Sequence, residues 1–340
     1  GRGRGEPAMN TAMNALMQAA VYERYGPPEV VEIRDVPMPR PKSNEVLIQI
    51  HATTVSSGDW RARSLELPRG FGALGRLVFG IRKPRQPILG TEFSGRIAGI
   101  GASVTRFRVG DEVFGFAGAA MGSHAEYRCM AEDGLLAFKP AHLAHEEAAA
   151  LSFGGLTVLG FFRRANLKAG ERIAINGASG SIGVAAIQLA KHIGAHVTAV
   201  SSGANLALSK SLGADEVVDY TREDFAMSGQ CHDVILDAAG TAPLSRVKHS
   251  LSRRGRFIPV LGSLSDLLQT PWINATTQRR IVSGVVRSQP EDLRLLGELA
   301  TRGAYRSVID QRYDFAQIGR AHRHVDTGRK RGSVVVSVRS

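Results

Sequence analysis

Residues 176–183 read Asn-Gly-Ala-Ser-Gly-Ser-Ile-Gly, between an apolar run, RIAIN (172–176), and a stretch of helical periodicity over 181–193. A strand that feeds a helix through glycines three residues apart leaves few architectures open. Gly177 permits the tight turn, Gly180 leaves room for a pyrophosphate, and Gly183 lets the helix pack close on the strand. The helix N-terminus adds unpaired N–H groups and a positive dipole end, which suit phosphate. Further strand-like runs follow at HVTAVS (196–201), EVVDY (216–220), DVILDAAG (233–240), RFIPVLG (256–262) and RIVSGVV (280–286), with helices expected over 205–212 and 243–251. Six strands with helical crossovers predict an α/β fold with a Rossmann doubly wound parallel sheet that binds a dinucleotide.

The chain has 340 residues, enough for two domains. Residues 18–139 are rich in short β-branched runs such as EVLIQIHATTV (45–55), broken by glycines, which predicts a turn-rich β domain. A helix is expected over 146–164 with a break at Gly154-Gly155, and others over 290–302 and 315–327. The final run, SVVVSV (333–338), needs a sheet to join, and the first domain is the simplest host. The expected organisation is a disordered leader over 1–16, a β-rich catalytic domain over 17–141 and 288–340, and a dinucleotide domain over 142–287.

A carboxylate at the end of the second strand is the usual partner of the NAD ribose. No acidic residue occurs between Ala195 and Ala214. Ser201, Ser202 and Asn205 stand there instead, able to donate hydrogen bonds to a 2′-phosphate, so NADP(H) is the expected cofactor. The short-chain dehydrogenase plan is excluded, since no Tyr is followed four residues later by Lys. Two cysteines, Cys129 and Cys231, exclude a disulfide framework and a cysteine-rich zinc module. A formal charge of +12 permits a polyanionic partner, but aromatic residues are only 6% and no RNA-binding motif occurs, so nucleic acid is not expected. The longest stretches without charge, 148–162 and 173–190, are too short or too polar to span a bilayer, and a cytoplasmic protein is expected.

The order of β domain, dinucleotide domain and return resembles the medium-chain dehydrogenase/reductase superfamily, and within it the zinc-free quinone oxidoreductase branch. The matching stretches span nearly the whole chain from Met17. They include Ala19-Ala20-Val21-Tyr22, Tyr25-Gly26-Pro27-Pro28, Gly90-Thr91-Glu92, Val109-Gly110-Asp111-Glu112-Val113, Gly155-Leu156-Thr157, Gly177–Gly183, Leu212-Gly213-Ala214-Asp215 and Lys330-Arg331-Gly332. The resemblance implies a GroES-like catalytic domain and a homodimer formed through the last Rossmann strand. Zinc enzymes of the superfamily carry Cys where Ser56 stands and His where Thr91 stands, and no Cys or His lies near 151–153. No zinc is expected. His322 and His324 lie two apart in an expected helix and share no face, while His142 and His145 fall at a domain junction, so neither pair is expected to bind metal.

The resemblance implies hydride transfer from NADPH to a small hydrophobic quinone or α,β-unsaturated carbonyl. An alcohol dehydrogenase working without zinc and a non-catalytic NADPH-binding protein that contacts RNA or membrane remain as alternatives. By the same resemblance Thr157 lies at the nicotinamide, Ser56 near the substrate and Asp59 beside it, as a turn carboxylate or proton donor. Gly177, Ser179, Gly180, Ser181, Ile182 and Gly183 would meet the pyrophosphate. Tyr220 would lie near the adenosine phosphate, with Ala239, Gly240, Leu261, Gly262 and Ser263 on the cofactor side of the sheet. Residues 61–85 hold seven basic residues against Glu66 alone, around the apolar run 71–80. This loop reads as a solvated segment, as a lid on the substrate cleft, or as a transient contact with an anionic membrane surface.

Overall fold

A computed structural model describes residues 15–68 and 70–339, the side chains of 265 and 266 aside. Its dinucleotide half is a six-stranded sheet. The strands lie in the order Glu216–Asp219, His196–Ser201, Arg172–Asn176, His232–Asp237, Leu251–Pro259 and Arg280–Ile281, and every pair is parallel. Sequence order therefore runs 3-2-1-4-5-6, and it reverses between Arg172–Asn176 and His232–Asp237. The crevice at their carboxyl ends is where an open α/β sheet holds its ligand. Ile173, Ala174, Ile175, Val234, Ile235 and Leu236 are fully buried, as both faces of the sheet are covered.

The other half is a seven-stranded sheet in which Glu45–Val55 pairs with Glu92–Ile100, Tyr127–Ala131 and Ser333–Ser337. The chain's last strand does return, with Val334 opposite Val55. It also pairs in parallel with Ile309–Asp314, a strand that sequence patterning did not indicate. The tail then ties the two halves together. Gly332 N–H donates to Ser179 O at 2.7 Å, and Ser181 Oγ donates to Gly332 O at 2.7 Å.

Several expectations need correction. Residues 1–14 of the expected leader lie outside the described residues, but Leu16 begins the first strand, Leu16–Val21. The expected helix over 146–164 is two helices, His145–Ala149 and Ser152–Ala165, and the break falls at Ala150-Leu151. Gly154 and Gly155 lie inside the second helix because neighbours approach closely. A Cβ on Gly154 would stand 2.3 Å from Ser181 O, and one on Gly155 2.6 Å from a Leu296 methyl. The helix expected over 205–212 spans Leu206–Ser211, after a 3-10 turn at Gly203–Asn205, and that over 243–251 shrinks to Leu244–Val247. The sixth strand is shorter than expected, spanning Arg280–Ile281 with one further bond from Val282 N to Phe257 O, and Gly284 beyond it takes a φ of 92°. Among the described residues, no helix is long and apolar enough to cross a membrane.

Candidate active site

The glycine loop has the geometry its spacing requires. Gly177 sits at φ 81°, in the left-handed region, and Gly180 caps the helix Ser181–Ile193, which ends at Gly194. A Cβ on Gly183 would lie 2.2 Å from Gly177 O, so the helix packs directly on the turn. A Cβ on Gly180 would meet nothing nearer than Gly177 O at 3.8 Å. That open cradle lies under a cavity of about 490 Å³, lined on the loop side by Gly177, Gly180, Ser181, Ile182, Gly183 and Ala239. A second cavity of about 280 Å³ shares Gly177 and Ala239 with it and reaches Val200, Tyr220 and Arg246. Together they form a slot along the crevice, and the residues present fit a dinucleotide.

Other sequence candidates take different places. Ser179 gives its carbonyl to Gly332 and does not line the slot. Ser201 is buried, and Ser202 Oγ accepts from Asn205 Nδ2 at 3.1 Å, leaving Asn205 Oδ1 buried without a partner. Beside them stands Asp219, which pairs with Ser201 across the strands. A Cβ on Gly203 would lie 2.6 Å from Asp219 Oδ2. A third-strand carboxylate thus stands beside the end of the second strand, although it lines neither part of the slot. Donors from Thr221 hold Asp219 below its ordinary carboxylate range. Asp237 N-caps the next turn, accepting from Asn176 Nδ2 and from the N–H groups of Ala239, Gly240 and Ala242. Thr241, absent from the sequence candidates, lines both halves of the slot.

Across the crevice stands the helix Ser57–Ser64, which sequence patterning read as loop. Ser56 and Asp59 form its capping box. Ser56 N and Oγ both donate to Asp59 Oδ2 at 2.7 Å, and Asp59 N donates back to Ser56 Oγ at 3.2 Å. Gly90 N donates to Asp59 Oδ1 at 2.7 Å. Asp59 is fully buried and lines neither the slot nor the apolar cavity, a placement that accords with the turn-carboxylate alternative of the sequence reading. The cap turns Ser57, Trp60 and Arg61 to the slot.

Ser56 Oγ lies 3.4 Å from Thr91 Oγ1. Glu92 accepts from Thr54 Oγ1 and Phe153 N, each at 2.6 Å. The two hydroxyls converge where thiolate and imidazole would be needed, and this donor set does not fit a zinc ion. Among the described residues, no three His, Cys, Asp or Glu side chains gather to hold a metal. His322 is buried against the His124 ring, whereas His324 faces Asp310 Oδ2 at 2.6 Å. His142 is exposed, while His145 stacks on His51 at 4.4 Å and contacts Ser94 Oγ.

Burial pushes Glu92 up to about 7. Desolvation pushes Lys330 down to about 8. Lys330 lines the slot, and its Nζ donates to Ser181 Oγ and Gly332 O. The return of the chain's tail places Lys330 over the glycine loop.

The slot opens into an apolar cavity of about 710 Å³, and Arg61 and Leu261 line both. Thr157 lines this cavity with Phe116, Phe161, Gly262 and Ser263, its hydroxyl proton given to Phe153 O at 2.7 Å. The outer wall is the helix Gly72–Phe79, through Leu74, Val78 and Phe79. The apolar part of the basic loop is therefore a cleft wall, and Arg69 lies outside the described residues. Ser283 to Val286, beyond the sixth strand, close the far side.

Residues 42–140 match the alcohol dehydrogenase GroES-like domain, and residues 212–336 match the zinc-binding dehydrogenase family. A chloroplast quinone oxidoreductase of Triphysaria versicolor is 31% identical over 339 residues, covering 94% of this chain and 98% of its own. The chain belongs to the medium-chain dehydrogenase/reductase superfamily, in its quinone oxidoreductase-like branch. An NADPH-dependent alkenal/one oxidoreductase of Arabidopsis thaliana shares 26% identity over 332 residues, covering 94% of this reductase and 79% of the relative. The structure of the quinone oxidoreductase from Coxiella burnetii superposes with a TM-score of 0.84 at 28% identity, covering 96% of this chain and all of that one. This dehydrogenase/reductase is an oxidoreductase that works with a nicotinamide cofactor.

Proposed function

We propose that this reductase uses NADPH, without zinc, to reduce quinones or α,β-unsaturated carbonyl compounds. The observation that carries the reading is that the dinucleotide slot adjoins a large apolar cavity through the shared lining residues Arg61 and Leu261, with the hydroxyl-bearing Ser57 on the slot side and Thr157 and Ser263 on the cavity side. A bound reduced nicotinamide supplies a hydride at that junction. Without a Lewis acid, the acceptor must already be electrophilic, as quinones and enones are. The chain's own residues orient the acceptor: Phe116, Phe161, Leu74 and Val78 present an apolar wall, and Thr157 stands among them with its hydroxyl.

NADPH is favoured over NADH by the hydroxyls and amide of Ser201, Ser202 and Asn205, and by the name of the Arabidopsis relative. Asp219 beside Gly203 is the opposing group. Purified protein assayed with NADPH against quinones and enones is expected to turn over at least one of them, unaffected by chelator. Tight NADPH binding with no turnover of any acceptor would refute the reading. The double variant S202D/N205L should weaken NADPH more than NADH; equal weakening would refute the cofactor choice.

A further inference from the structure

Arg61 is the one cation lining both the slot and the apolar cavity among the described residues. The neighbouring charged groups are already engaged. Lys330 donates to Ser181 and Gly332, Asp326 is paired with Arg63 at 2.6 Å, and Arg246 in the adenosine half is paired with Asp224 at 2.8 Å. Among the described residues the Arg61 side chain has no hydrogen-bond or ion-pair partner, and its Nε is sealed from solvent without an acceptor. Its guanidinium carbon lies 5.3 Å from the Trp60 ring centroid, an arrangement that fixes the plane without using the N–H donors. Burial holds Arg61 below its ordinary range, with Glu66 partly offsetting the effect. A half-buried guanidinium whose sealed Nε lacks an acceptor is costly, and an anion on its four Nη donors would offset part of that cost. The helix that carries it is locked by the Ser56–Asp59 capping box and by Gly90, so the donors are positioned in advance.

We propose that Arg61 is an oxyanion site, donating hydrogen bonds to the acceptor's carbonyl oxygen as that oxygen becomes an enolate or hydroquinone anion. The proposal rests on the reductase reading above and names the group that receives the charge. When hydride adds to the β-carbon of an enone, the alkene pair moves to form the enolate. The carbonyl oxygen then carries the negative charge, and water supplies the proton that completes the product. In a quinone the hydride's hydrogen ends on one carbonyl oxygen, its two electrons aromatise the ring, and the other oxygen is left as a phenolate that water protonates. Arg61 takes no proton and gives none up; it stabilises the charge where the slot meets the apolar cavity.

The test uses the full chain with NADP⁺ and 4-nitrophenol, whose phenolate imitates the product anion and reports its own ionisation by absorbance. The wild type should lower the bound phenol's apparent pKa by about one. Arg61→Met should abolish that shift while NADPH affinity and thermal midpoint stay as in the wild type, and Arg61→Lys should restore part of it. With enones, Arg61→Met should lower kcat about 100-fold, with less loss for electron-poor quinones, which need less help with charge. An absent shift in the wild type, or an equal shift in Arg61→Met, overturns the proposal. Loss of NADPH affinity in parallel with the phenolate shift overturns it too, by making Arg61 a cofactor contact. A wild type that shifts the phenolate through Arg61 yet reduces no acceptor refutes the reductase reading alone and leaves the oxyanion site standing.

Discussion

The two sides of the cleft are built by different rules. The floor is the parallel sheet and the Gly177–Gly183 turn, where fully buried apolar strands and three glycines at fixed spacing force one backbone path. The facing wall is two eight-residue helices, Ser57–Ser64 and Gly72–Phe79, held by one capping box, backbone bonds from Gly26 and Gly90, the Arg63–Asp326 ion pair and side-chain packing. A floor defined by backbone tolerates little change and serves a cofactor whose shape does not vary. A wall defined by side chains can differ among relatives and so can choose the acceptor.

Substitutions on each side should separate the two functions. The largest effect is expected from Gly183→Val, because a Cβ there meets backbone at 2.2 Å. Overpacking should cost more than about 2 kcal/mol and abolish NADPH binding, read by denaturation and cofactor fluorescence. Normal binding would show that the floor is softer than its contacts indicate. Next comes Asp59→Ala, which removes the cap of the wall helix and the acceptor of Gly90 N–H. It should cost about 2–3 kcal/mol and lower kcat while cofactor affinity changes little. Equal losses in both would mean that the wall also shapes the slot.

A smaller effect concerns pH. Lys330 loses its proton near 8 in the free protein, and bound phosphates would raise that value. Binding therefore takes up a proton above pH 8. NADPH affinity should be greatest below pH 8 and fall as pH rises through it, by up to about tenfold per unit. Lys330→Met should bind more weakly with a flat profile; an unchanged slope would remove Lys330 from the phosphate site. The smallest effect is expected from Leu74→Ala on the outer wall. Loss of apolar contact worth about 1 kcal/mol should raise KM for apolar acceptors several-fold and leave NADPH affinity alone.

Legibility followed the same division. The floor strands Arg172–Asn176, His196–Ser201 and the helix Ser181–Ile193 were readable to the residue, because periodicity and glycine spacing are local signals. The wall helices were missed, being short and glycine-interrupted. One signal was present: Ser56 and Asp59 have capping-box spacing, which marks a helix start rather than a catalytic pair. Asp219 escaped because the acidic partner was sought on the second strand, and pairing with Ser201 brings it in from the third. Arg61 counted only as one charge in a basic loop.

The sequence by itself determined the strand–turn–helix that cradles the cofactor, the parallel sheet and the family, since each rests on residues close together in the chain. Tertiary structure alone decided which side chains face one another across the cleft. Lys330 meets Ser181 at a sequence separation of 149, and Asp59 meets Gly90 at one of 31. Arg61 borders both cavities because the wall helix is docked where it is. Periodicity carries the path of the backbone, whereas such meetings depend on how separate elements pack, which no local pattern encodes.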